Sequence, residues 1–200
     1  MSMIKKLLLN ITLLCLPFTL LADNGHDLWL KKVKAVPVNI IAAKKTAVIN
    51  LAIQELQQGW TGKNGASFTL LIKPDAAVKY DGFKLSENSV QANNEWGILY
   101  GVYEILRRQQ TGMPVRNGEI VNPSYQQRIL NHWDNLNGTI ERGYAGMSIF
   151  WKGDKNITVT EEDKNLWTEY ARANASIGIN GSVLNNVNAT PQMLSTENLK

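Results

Sequence analysis

Arg128-Ile129-Leu130-Asn131-His132-Trp133-Asp134-Asn135-Leu136-Asn137-Gly138-Thr139-Ile140-Glu141-Arg142-Gly143-Tyr144-Ala145-Gly146 is the stretch whose reading decides the fold of this chain. The short apolar run Ile129-Leu130 passes directly into polar and aromatic groups, and then into a loop carrying Gly138, Gly143 and Gly146. That order is expected of a buried strand delivering functional side chains to a loop, since a rigid strand positions what a surface loop can display. The pattern predicts a strand over Gln127 to His132 and a long loop to about Thr158.

Downstream, Thr160-Glu161-Glu162-Asp163 reads as a helix start, with its acids in the first turn where the helix dipole is positive. Leu166, Trp167, Tyr170, Ala171 and Ala173 follow along that helix. Gly178-Ile179-Asn180 then leads into a second short strand, Ser182 to Asn186. Strand, loop, helix, strand is the first βαβ unit of a parallel α/β architecture. Thr196 to Lys200 reads as the opening of another helix. One such unit cannot close an eight-stranded barrel, which takes about 250 residues, so the chain is expected to be a fragment of a longer protein.

Upstream, Arg116-Asn117-Gly118-Glu119 to Asn122-Pro123 reads as a turn-rich linker. Before it, Asn93-Asn94-Glu95 caps a helix predicted over Trp96 to Gln110. Ile98, Leu99, Val102, Ile105 and Leu106 form its buried face, and Gly112 its stop. Gly97 and Gly101 stand four apart on one side of it, which predicts close packing on a sheet. Phe83-Lys84-Leu85 and Ser89 to Ala92 make a hairpin after the Asp81-Gly82 turn. Phe68 to Ile72 is a further strand, and Thr46 to Gln58 an earlier helix stopped by Gly59. These elements predict an α+β unit over residues 23–122, read as structural, and a second unit over 125–200.

Lys5-Lys6, the apolar stretch Leu7 to Leu21 and the small residue Ala22 read as a secretory signal peptide over residues 1–22. Its removal would take the net charge from +4 to about +2, because two lysines leave without an acid. The single cysteine, Cys15, would leave too. The mature chain would then hold no disulfide and no thiol nucleophile. Export to the periplasm or the medium is expected. The basic balance does not point to nucleic acid, since no cluster of cations exceeds Lys31-Lys32-Lys34.

In a barrel the residues just past each strand face the active site. Here these are Trp133, Asp134 and Asn135, then Asn186, Val187 and Asn188, the candidate substrate-binding set. Amides and carboxylates recognise sugar hydroxyls, and an indole offers a stacking face. His132 is expected to point the other way, into a wall. Glu141 beside Arg142 reads as an ion pair holding the loop. No phosphate loop, dinucleotide motif or metal-spaced histidine pair occurs. Neither a metal nor an organic cofactor is implied.

Between Gln127 and Phe150 the sequence resembles the start of the catalytic barrel in the family 67 α-glucuronidases, most closely at Asn131 to Asn135 and Ile140 to Gly146. Asn137 and Thr139 depart from it where Asp and Ser would be expected. Gly82 to Leu85, Asn93-Asn94 and Trp96 to Tyr103 resemble the non-catalytic domain that precedes the barrel in hexosaminidases and α-glucuronidases. The resemblance implies an α+β domain followed by the truncated start of a (β/α)8 barrel. It implies an enzyme releasing (4-O-methyl)glucuronic acid from decorated xylo-oligosaccharides by single-step inversion. Its acid and base would lie on later strands, beyond Lys200, so the catalytic set within this chain is empty and Asp134 would orient substrate. No membrane span is expected after signal removal, and a homodimer of the full-length protein is left open. Two other readings stand beside this one: a non-catalytic module binding polysaccharide or protein, and a hexosaminidase-related glycosidase.

Overall fold

A computed structural model describes residues 25, 27–153, 158–188 and 190–196. The expected signal peptide and residues 197–200 of the expected last helix lie outside the described residues. Among the described residues, no helix is long and apolar enough to cross a membrane.

The first unit is a small α/β domain built on a mixed five-stranded sheet. In spatial order its strands are β1 (Val38–Ala42), β2 (Ala66–Ile72), β4 (Ser89–Ala92), β3 (Phe83–Ser86) and β5 (Glu119–Val121). β1, β2 and β4 run parallel, whereas β3 is antiparallel to both β4 and β5. Helix α1 (Ala47–Gly59) crosses between β1 and β2, and α2 (Glu95–Thr111) follows β4. Thr46 caps α1 by accepting the Ile49 N–H at 3.2 Å, and Asn94 caps α2 through the Gly97 N–H at 2.9 Å. Each cap satisfies a donor that the first turn leaves without an intrahelical partner. Gly112 ends α2 in the left-handed conformation, as a C-terminal glycine does.

The helices predicted over Thr46 to Gln58 and Trp96 to Gln110 and the hairpin form where the pattern places them, and two further strands join them. β1 alternates half-buried and exposed residues directly after Pro37, and its pairing with β2 makes it the edge of the sheet. β5 lies within the stretch read as a linker. Its three residues are bracketed by Asn117-Gly118 and Asn122-Pro123, and only pairing with β3, Glu119 opposite Leu85 and Val121 opposite Phe83, makes them a strand. Arg108 fastens that edge with two bonds to Glu119, at 2.8 and 2.9 Å.

The apolar core lies between α1, α2 and this sheet, centred on Leu56, Phe68, Leu85, Val90, Ile98, Val102 and Tyr103. The two small residues of α2 do bring it onto the sheet. A β-carbon on Gly97 would sit 2.5 Å from the Gly82 carbonyl, and one on Gly101 would sit 2.4 Å from a Val90 methyl.

The second unit is β6 (Ile129–Asn131), α3 (Glu161–Ser176) and β7 (Gly181–Val183), with the two strands parallel and Ile129 opposite Gly181. Both strands are shorter than predicted: at the start of β6 the Arg128 N–H goes to the Asn180 side chain, and beyond β7 the Asn186 N–H goes to the Asp134 carbonyl. Among the described residues, no buried hydrophobic side chain lies beyond Leu106. Polar bonds join the unit to the first one. Arg172 of α3 forks onto buried Glu55 of α1 at 2.6 and 2.8 Å, and the Tyr103 hydroxyl reaches the same carboxylate at 3.2 Å. Arg128 donates to Asp81 at 2.7 Å and lies over the Tyr100 ring.

Candidate functional site at the ends of β6 and β7

Strand periodicity sets the site. Leu130 and His132 face α3, and the His132 ring packs edge-on against Phe150 while its Nε2 meets the Tyr170 hydroxyl. Ser182 of β7 lies on that side too, 3.1 Å from the same hydroxyl. By alternation, Ile129, Asn131 and Trp133 share the opposite, open face with Gly181 and Val183. Ile129, Asn131, Trp133 and Val183 are exposed there. Asn131 was not among the residues singled out from sequence. The period of two could have found it, since it stands two before Trp133 on the same face.

Past the strands the chain makes a compact loop. Asp134 bridges Ile140 in antiparallel fashion, and Thr139 bridges Met147. The Asn135 side chain accounts for this shape. Its Nδ2 donates to the Thr139 hydroxyl at 3.0 Å and to the Glu141 carbonyl at 2.8 Å. Glu141 stands at φ +58°, a left-handed conformation costly for a residue with a β-carbon, and its N–H donates to the Trp133 carbonyl at 2.8 Å.

Strand β7 supplies the other half. The Asn186 N–H donates to the Asp134 carbonyl at 2.7 Å. Its side-chain Nδ2 donates to Asn135 Oδ1 at 3.1 Å and to the Glu141 carbonyl at 3.4 Å, while its Oδ1 accepts the Asn188 N–H at 2.9 Å. The six sequence candidates therefore fall into two groups. Asp134 (2% exposed) and Asn186 (5%) are buried, and with Asn135 they are bonded into the loops. Trp133 (39% exposed), Val187 (72%) and Asn188 are open to solvent.

Asp134 has a defined local task. One carboxylate oxygen accepts from the Ser148 hydroxyl, and Ser148 Oγ in turn accepts the N–H groups of Phe150 and Trp151 at 3.0 and 2.9 Å. The other oxygen, Oδ1, is buried without a partner. The loop is tied down further along by the Trp151 indole, which donates to the Leu184 carbonyl at 2.7 Å, and by Lys152 on Asp163. Lys152, then the Thr160 hydroxyl and N–H, hold the Asp163 carboxyl down at about 2. The same Thr160–Asp163 pair forms the capping box of α3.

Among the described residues, no ion pair joins Glu141 to Arg142. The Glu141 carboxylate lies instead against the Tyr144 hydroxyl, and Arg142 is exposed. The loop expected to be held by that pair is held by backbone bonds and amides. Among the described residues, no group of three or more His, Cys, Asp or Glu side chains could hold a metal ion.

The arrangement is a pair of loops hydrogen-bonded to each other, beside an open strand face that carries Asn131 and one indole. A pair of opposed carboxylates is not among its parts. Residues 108–200 match the model of the glycosyl hydrolase family 67 middle domain. The probable alpha-glucuronidase A of Neosartorya fischeri is 33% identical, over 89% of this chain and 25% of its own length. That of Aspergillus clavatus is 30% identical, over 98% of this chain and 27% of its own. The alpha-glucuronidase A of Aspergillus tubingensis is 42% identical, over 60% of this chain and 14% of its own. This chain thus spans about a quarter of the length of the curated relatives that it matches over most of its residues.

Proposed function

We propose that this chain, whose residues 108–200 match the glycosyl hydrolase family 67 middle domain, is part of an exported α-glucuronidase that releases (4-O-methyl)glucuronic acid from xylo-oligosaccharides. In this reading β6–α3–β7 opens a (β/α)8 barrel, and the first unit is its non-catalytic neighbour. The observation that carries the reading is the open face of β6 and β7. It holds Ile129, Asn131, Trp133 and Val183 uncovered, beside loops already rigid at the strand ends. Apolar residues left uncovered on one face of a two-stranded ladder need further elements to bury them.

The chemistry follows from what the site has and lacks. Inverting hydrolysis uses one carboxylic acid to protonate the leaving oxygen and one carboxylate to activate water, about 6.5–9.5 Å apart. Asp134 is closed off against Ser148 and cannot face a water across a sugar ring. Acid and base are assigned, as the resemblance to the family implies, to later strands of that barrel. Trp133, Val187 and Asn188 are assigned to contact the uronic acid, while Asp134, Asn135 and Asn186 shape the wall behind them.

The test is hydrolysis of aldouronic acids by the full-length protein, followed by NMR of the first anomer released. Release with inversion is expected, together with no release by the 200-residue chain alone. An inactive full-length protein would overturn the function. Activity in the 200-residue chain would overturn the placement of acid and base. Recovery of the full-length protein in the cytoplasm with residues 1–22 intact would overturn export.

A further inference from the structure

Every N–H of the Asn135 and Asn186 side chains points inward. The Asn135 amide donates to Thr139 and Glu141, and the Asn186 amide to Asn135 and Glu141. Both converge on one acceptor, the carbonyl of Glu141, the residue held at φ +58°. The N–H of that same residue holds the Trp133 carbonyl. A left-handed glutamate persists only where its surroundings over-determine it, and two amide donors on its carbonyl do that.

We propose that Asn135 and Asn186 are positioning residues, which clamp Glu141 in its left-handed conformation and thereby fix the backbone presenting the Trp133 indole to the sugar. The loop after one strand is thus set by a side chain from the next. This proposal rests on the α-glucuronidase reading for its kinetic readout, but its geometry does not depend on it. It also accounts for an amide, rather than an acid, at position 186. A carboxylate there has no N–H to donate and would face two acceptors, Asn135 Oδ1 and the Glu141 carbonyl.

The test uses the full-length enzyme with Asn186→Ala, Asn186→Asp, Glu141→Gly and the two double variants. Both Asn186 variants should raise KM for aldouronic acid at least about tenfold, with Asp no better than Ala and with kcat reduced less than KM is raised. Glycine takes the left-handed conformation without steric cost, so adding Glu141→Gly should restore part of the KM lost in each. A direct sugar contact by Asn186 predicts the reverse: Asp keeps an acceptor for a hydroxyl and outperforms Ala, and Glu141→Gly rescues neither. Either that pattern or an unchanged KM would overturn the proposal. Should Asn186→Ala fail to fold, Asn135→Ser replaces it in the same cycle, with the same outcomes deciding. Hydrogen exchange at the Glu141 amide gives a readout independent of activity. The amide should exchange faster in Asn186→Asp than in the parent, and unchanged protection would overturn the clamp even if the enzyme proved to have another substrate.

Discussion

Substituting Gly97→Ala places a methyl group where helix α2 meets the sheet. Its carbon would lie 2.5 Å from the Gly82 carbonyl oxygen, 2.7 Å from the Ala92 β-carbon and 3.3 Å from the Asp81 carbonyl. Two of these neighbours are backbone and the third is fixed to it, so no side chain can turn aside. Alanine would favour the helix by at most about 1 kcal/mol over glycine. Overpacking a closed interface costs roughly 1–3 kcal/mol, and a rigid backbone carbonyl puts this site at the upper end. The balance is a loss of about 2 kcal/mol, or on the order of 10 °C in Tm for a unit of about 100 residues. Gly59→Ala is the control. There the added carbon meets Leu106 methyl groups at 2.9 and 3.3 Å, which can rotate, so the expected change is well under 1 kcal/mol. Urea unfolding and thermal melts followed by circular dichroism measure both variants. A Gly97→Ala protein as stable as the parent, or more stable by the helix-propensity increment, would refute the claim that this glycine sets the helix-to-sheet distance.

Arg172→Ala leaves buried Glu55 with the Tyr103 hydroxyl in place of a two-bond cation, and should cost about 2–3 kcal/mol in urea unfolding, somewhat less than a fully buried pair because Arg172 is partly exposed. A loss below 0.5 kcal/mol, estimated on the scale of surface pairs, would mean that Glu55 tolerates burial alone. Asp163 titrates at about 2 in the folded chain against 3.8 when unperturbed, so what it contributes to the α3 start is complete above about pH 4 and is lost as pH falls toward 2. Carboxyl NMR should place its midpoint in that window and move it upward in Lys152→Met, and a parent midpoint above 4 would contradict the assignment. Trp133→Ala in the full-length enzyme should weaken substrate binding by about 1–3 kcal/mol with Tm nearly unchanged, because the indole is partly open. A stability loss of roughly 3–5 kcal/mol with unchanged KM would make it a packing residue instead.

Local signals in the sequence were enough for the helices, the hairpin and the order of the second unit. Thr46, Asn94 and Thr160 each cap a helix whose side chains repeat with helical period, and such signals act within a few residues. The close approach marked by Gly97 and Gly101 was equally legible, because a helix has little other use for two glycines on one face. Beyond that reach the sequence was silent or ambiguous. β5 is a strand only because β3 supplies its partners, and the same three residues in isolation read as a linker. The strand-end residues were legible as a group, but their division was not. Trp133 and Asn135 are two residues apart, yet one is open to solvent and the other is bonded into its own loop by its own amide, whose oxygen accepts from Asn186. Glu141 and Arg142 looked like partners because they are neighbours, yet the Glu141 carboxylate lies against the Tyr144 hydroxyl and Arg142 is exposed. Which polar groups are free and which are used up depends on partners in the same folded loop and, for Asn186, on residues some fifty positions away along the chain. Hydrogen bonds of that span have no periodicity to betray them, and only the folded chain decides them.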